Sequence, residues 1–234
     1  MKNLSLLLTM ITAVFYISCS ENDDKILNKS VTYNFEADVE GWTGDFADYP
    51  NDDGVEEFYE MEFSHSYLPE PLNTSEGSIM MSGNNHSDDL FMFLKKNITG
   101  LTPNHYYDIN LEVEFATNVP DSMLGVGGSP GEGVVIKAGA TGIEPQKVLD
   151  EYSNWFRMNI DKGNQYLEGE DTENIGEFSN DTNEPVYTLK TLQTSAAISV
   201  KSDNNGQLWL IVGTDSGFEA TTTIYYNRIS AIIE

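Results

Sequence analysis

The chain has 234 residues, 39% of them hydrophobic and 11% aromatic, with a formal net charge of −26 and one cysteine. The charge repels nucleic acid and anionic lipid headgroups and attracts cations. A single cysteine excludes a disulfide framework, so stability must come from a packed core, and the length suits one β-sandwich or two small domains.

Met1, Lys2 and Asn3 begin the chain with one positive charge, and an apolar run follows from Leu4 to Ile17. The run is shorter than the roughly 20 residues of a membrane-spanning helix and suits the central region of a secretory signal. It ends in Ile17-Ser18-Cys19, followed by Ser20-Glu21-Asn22-Asp23-Asp24. This junction resembles the lipobox of bacterial lipoproteins, with Tyr16 where leucine is usual. The acidic run resembles the export tag of Bacteroidota surface lipoproteins. The resemblance implies a signal peptide over 1–18, lipidation of Cys19, and a lipid-anchored position at the outer membrane, facing outward. Membrane contact would then run through the N-terminal lipid only. The alternative is an ordinary secretory leader with a chance cysteine.

Residues 19–30 read as a flexible polar tether, and a β-sandwich is expected over 31–234. "VTYNFEA" (31–37) is β-branched and aromatic. "EEFYEMEFS" (56–64) alternates, with Phe58, Glu60 and Glu62 on one face and Tyr59, Met61 and Phe63 on the other. "GSIMMSG" (77–83) and "DDLFMFLKKNI" (88–98) follow as short apolar runs. "HYYDINLEVEFAT" (105–117) alternates through Tyr107, Ile109, Leu111, Val113 and Phe115. "EGVVIKAGA", "AAISVKS", "QLWLIVG" and "TTTIYYNRISAII" complete the strands. Such alternation predicts half-buried strands, and their regular spacing predicts an all-β sandwich. "SDNNGQ" (202–207) holds an Asn-Gly pair between two strands, a hairpin signal. Residues 140–185 are less regular and are expected to form a long excursion with one helical turn.

"YNFEADVEGWTGD" (33–45), "ITGLTPNHYYDINLEVEFAT" (98–117) and "TTTIYYNRISAII" (221–233) together resemble jelly-roll modules of the galactose-binding-like superfamily. The resemblance implies a jelly-roll β-sandwich and, since carbohydrate-binding modules dominate the family, an extracellular glycan as ligand. It also implies a structural Ca²⁺ bridging the first and last strands, with Glu36, Asp38 and Asn227 as ligands. Asn227 stands where the family leads one to expect aspartate. An amide still offers an oxygen, with one charge fewer.

Sugar recognition uses flat aromatic faces. Trp209, in "LWLIV", is expected in the core, and Trp42 at the sandwich edge. Trp155 has polar neighbours and is the candidate stacking residue, with Tyr49, Tyr59 and Tyr67 beside acidic loops as further candidates. His65 and His86, with Asp88 and Asp89, would ligate a transition metal only if their loops met. Two loop histidines with hydrogen-bonding roles is the plainer alternative. "GTDSGFE" (213–219) reads either as a ligand-facing loop or as a hairpin turn. No carboxylate pair, nucleophilic serine or phosphate loop stands out. The expectation is therefore a non-catalytic, carbohydrate-binding surface lipoprotein. The alternatives are an adhesive or structural lipoprotein contacting protein or matrix, and then a glycan hydrolase.

Overall fold

The computed structural model describes residues 29–234. The signal over 1–18, Cys19 and most of the tether lie outside the described residues. Fifteen strands and one helical turn follow in chain order: β1 (Lys29–Tyr33), β2 (Thr43–Ala47), β3 (Tyr49–Pro50), α1 (Val55–Phe58), β4 (Glu62–Tyr67) and β5 (Gly77–Asn84). Next come β6 (Leu90–Ile98), β7 (Tyr106–Thr117), β8 (Val134–Thr141), β9 (Lys147–Asp150) and β10 (Trp155–Met158). The last are β11 (Thr172–Glu177), β12 (Thr188–Gln193), β13 (Ile198–Lys201), β14 (Leu208–Ser216) and β15 (Thr221–Ile233).

All pairings are antiparallel. Sheet A is seven-stranded, in the order β12-β7-β15-β5-β4, with β1 also on β15 and β13 also on β7. Sheet B is five-stranded, β11-β8-β14-β6-β2. The two orders match strand for strand: β5 lies in one sheet and β6 in the other, and the same holds for β7/β8, β11/β12 and β14/β15. The chain thus crosses the sandwich at each of these connections, which makes a jelly roll. This is the all-β architecture expected from the sequence.

The main core fills the space between the sheets. Tyr107, Ile109, Leu111, Val113 and Phe115 of β7 all point into it, at 1% exposure or less. They meet Leu208, Leu210 and Val212 of β14 and Ile136 and Ala138 of β8. This alternation puts Trp209 on the outer face of sheet B, half-buried, with Lys95 Nζ 5.7 Å from its ring centroid. Trp42 is the core tryptophan, at 1% exposure, edge-on to Tyr33 and Phe35. The expected places of the two tryptophans are therefore corrected. An odd residue between two inward leucines must face out, and Trp42 is swung inward by the turn at Gly41 (φ 71°).

Three local expectations also change. The segment 56–64 is not one strand: α1 ends at Phe58 and β4 begins at Glu62. The Asn205-Gly206 turn joins β13 of sheet A to β14 of sheet B, so it is a crossing between sheets and not a hairpin. The 140–185 excursion is strand-bearing: β10 pairs with β3 on one side and β9 on the other in a third, three-stranded sheet, and β11 edges sheet B. The helical turn expected in its first part is this β9–β10 hairpin.

The excursion also covers part of sheet B's outer face. Phe91, Phe93 and Ile211, all at 0% exposure, meet Ile160 and Met158 in a second small apolar cluster. β8 is consequently buried on both faces along its whole length. Even Lys137, at 0% exposure, is held there, donating to the Leu167 carbonyl at 2.5 Å.

Candidate functional site

Where the excursion meets the rim of sheet B, three aspartates converge. Asp48 stands between β2 and β3 with φ at 63°, and its N–H donates to the Phe156 carbonyl at 2.8 Å. Asp89 directly precedes β6. Asp215 lies near the end of β14, opposite Phe91 and Val135. One carboxylate oxygen from each lies within 4.8 Å of the others.

Two cations from the excursion tie the aspartates together. Arg157 Nη1 donates to Asp48 Oδ1 at 2.8 Å and to Asp89 Oδ2 at 3.0 Å. Lys162 Nζ donates to Asp215 Oδ2 at 2.7 Å and stands 2.9 Å from Asp48 Oδ2. The Gln165 N–H adds a bond to Asp215 Oδ2 at 2.8 Å. Burial alone would lower the Lys162 pKa, but Asp215 and Asp48 outweigh it and hold the ammonium charged. Among the described residues, the Asp89 carboxylate has only Arg157 as a direct partner. Burial, reinforced by the nearby Asp48 charge, pushes it up to about 6.

Asp48, Asp89, Arg157 and Lys162 open onto a pocket of about 390 Å³, which Asn164 also lines. Trp155 and Arg157 share the outward face of β10, and the guanidinium lies 4.8 Å from the Trp155 ring centroid. Phe156, between them, faces the main core. A half-buried indole thus stands beside a pocket of fixed donors and acceptors. Such a surface can bind a polyhydroxylated ligand: carboxylates accept from hydroxyls, the guanidinium donates, and the ring packs on C–H groups.

The other sequence candidates lie elsewhere. Tyr49 (0% exposed) and Tyr59 (2%) are core residues packed 5.9 Å apart, so neither offers a stacking face. Tyr49 faces inward from β3, and its hydroxyl accepts from Lys147 Nζ at 2.7 Å. Tyr67 is exposed at 55%, on edge strand β4, edge-on to His65. His65 Nε2 bonds the Phe35 carbonyl at 2.7 Å, whereas His86 stacks on Phe58 at 4.2 Å. Among the described residues the aspartate trio is the metal-spaced cluster, and neither histidine belongs to it. The loops of His65 and His86 therefore do not form the transition-metal set considered from the sequence.

Glu36, Asp38 and Asn227 make separate contacts. Glu36 Oε2 accepts from the Gly77 N–H at 3.4 Å and Asp38 Oδ1 from the Glu40 N–H at 2.6 Å. Asn227 Nδ2 donates to Glu114 Oε1 at 2.8 Å.

No family model and no curated protein matches the chain. Solved structures do. The chain is similar to the enzymatically active domain of tailspike protein 4 of bacteriophage CBA120, at 12% identity and a TM-score of 0.35, over 85% of this chain and 20% of that one. A protein from a study of promiscuous carbohydrate-binding modules of the β-sandwich superfamily matches at 10% identity and a TM-score of 0.40, over 83% of this chain and 58% of that one. A carbohydrate-binding module specific for non-crystalline cellulose matches at 9% identity and a TM-score of 0.38, over 82% and 88%. The chain spans a fifth of the tailspike domain and under two thirds of the second match. At such identities and scores the neighbours' ligands do not transfer to this chain.

Sequence reasoning named Trp155 as a candidate stacking residue, and Asp89 only as a partner of His65 and His86. It also marked "GTDSGFE", which carries Asp215, as a ligand-facing candidate. It missed Asp48, Arg157 and Lys162. A signal was present: lysine and arginine are scarce in this chain, 12 against 38 acidic residues, so each has many carboxylates to choose from.

Proposed function

We propose that this chain is a non-catalytic surface lipoprotein, anchored to the outer membrane through lipid on Cys19, whose jelly roll binds extracellular carbohydrate. The observation that carries the reading is the Trp155–Arg157 face beside the aspartate pocket. It pairs a partly open aromatic ring with polar groups whose positions are fixed by ion pairs, so little side-chain entropy is lost on binding. The leader resemblance supports the address.

A glycan-array screen of the Cys19→Ser chain tests the ligand class, followed by calorimetry on the hits. Trp155→Ala should weaken binding by about 10- to 100-fold, the range of a binding aromatic, with little change in Tm. An array without hits, or a variant that binds as well as the parent, sinks the reading. The anchor is tested apart: in cells, Cys19→Ser should abolish labelling by a palmitate analogue, and persistent label removes the lipoprotein assignment.

One observation favours a second reading, a glycan hydrolase. Asp89, raised to about 6, is suited to donate a proton, and Asp48 lies close by. Against it, Asp48 is bound by both Arg157 and Lys162, which makes it a poor nucleophile or base. Release of reducing ends from the array hits decides between the two.

A further inference from the structure

The aspartate pocket is not balanced. With all three carboxyls ionised they face two cations, which leaves one net negative charge at a site where Asp48 and Lys162 are about 5% exposed and Asp215 is fully buried. The donors are also used up on one side. Lys162 and the Gln165 N–H reach Asp215 Oδ2, and Arg157 reaches Asp89 Oδ2. Asp215 Oδ1 and Asp89 Oδ1 are left, both shielded from solvent and both without a hydrogen-bond donor. Buried carboxylate oxygens of this kind are costly unless something positive or protic meets them.

We propose that Asp48, Asp89 and Asp215 bind a divalent, oxygen-preferring cation, calcium in an extracellular setting. The donor set contains oxygens only, with no thiolate or imidazole, which selects hard cations over zinc or copper. The ion takes the unpartnered Oδ1 atoms of Asp89 and Asp215. Asp48 offers Oδ2, which has a second lone pair beside its ion pair with Lys162; Lys162 keeps Asp215 Oδ2, and the open pocket supplies water for the rest of the shell. A water alone could satisfy the orphan oxygens but would leave the charge unbalanced. Lys162 and Arg157 repel the ion, so affinity falls in the weak class of extracellular calcium modules, with Kd about 10⁻⁴–10⁻³ M. The site is distinct from Glu36, Asp38 and Asn227, and it stands without the sugar reading because every readout below omits glycan.

The test uses the chelator-stripped Cys19→Ser chain. Calcium calorimetry up to 10 mM should show one saturable site, and Tm should rise by several degrees beyond a sodium chloride control of equal ionic strength. Asp89 keeps 21% of its side chain exposed, and asparagine preserves its shape and an acceptor oxygen for Arg157. Asp89→Asn should abolish the calcium-specific rise, and Asp38→Asn should leave it intact. The proposal is overturned if calcium gives no saturable heat in the parent chain, or if it shifts Tm no more than sodium does. It is equally overturned if Asp89→Asn keeps the full response, or if Asp38→Asn alone removes it, which would place the ion at the first strand.

Discussion

Burial raises two carboxyl groups of the aspartate cluster, Asp215 and Asp89, above the usual aspartate range. Asp89 sits at about 6, pushed up first by burial and then by Asp48. In the unfolded chain an aspartate titrates near 3.9. Between about pH 4 and 6 the folded state therefore holds more protons than the unfolded one, and stability falls as pH rises through that window. The penalty is absent below it and complete above it, up to about 3 kcal/mol. Asp89→Asn cannot ionise and escapes this loss. In chelator, its Tm relative to the parent should climb from pH 4 to pH 7, and a difference that stays flat across the window would refute the assignment. At this scale the sequence was only half legible. It flagged Trp155 as a stacking candidate for its polar neighbours, and the ring is half-buried. It exchanged the surroundings of Trp42 and Trp209, because hydrophobicity says that a residue prefers the interior while only strand parity says which way it points. Tyr49 and Tyr59 misled for a related reason: neighbouring acidic residues in sequence do not make a side chain wet.

At the scale of elements, alternation was the reliable signal and turn chemistry the ambiguous one. The β7 pattern specified its inward face residue by residue. In the 56–64 segment, the partition also held, with Phe58 62% exposed and Tyr59 2% exposed, although the segment begins in the helical turn. The Asn205-Gly206 turn shows the limit. A two-residue signal reports that the chain reverses, not whether the next strand joins the same sheet. Here Asp203 organises the turn: its Oδ1 accepts from the N–H groups of Asn205 and Gln207, both at 2.8 Å. Leu101 N–H then bonds the Gly206 carbonyl at 3.0 Å, which locks this turn to the one before β7. Gly206 has φ 69°, and a Cβ there would lie 2.0 Å from the Leu101 carbonyl oxygen. Gly206→Ala should therefore cost about 1–3 kcal/mol, through left-handed strain and displacement of the Leu101 loop. Urea unfolding at an unchanged m-value measures this, and a loss under 0.5 kcal/mol would show that the two turns are not coupled.

For the whole molecule, the sandwich was legible because hydrophobic period and turn spacing are properties of the chain itself. The excursion was not, because its order depends on partners distant in sequence. Ile160 and Met158 find Phe91 and Ile211 only once β6 and β14 lie side by side. The aspartate pocket is a product of the same docking, with its carboxylates on the rim of the sandwich and its cations on the excursion.

The position of β15 has a consequence for how the protein is made. It pairs with β1 and β5 on one side and β7 on the other, so the strand synthesised after all of these is the one that joins them. A ribosome delivers residues in order, and sheet A cannot close until 221–233 have emerged. Sheet B, whose strands alternate with those of sheet A along the chain, has no finished surface to pack against before then. A nascent chain of this topology therefore keeps its sheet A edges unpaired until the last strand is made.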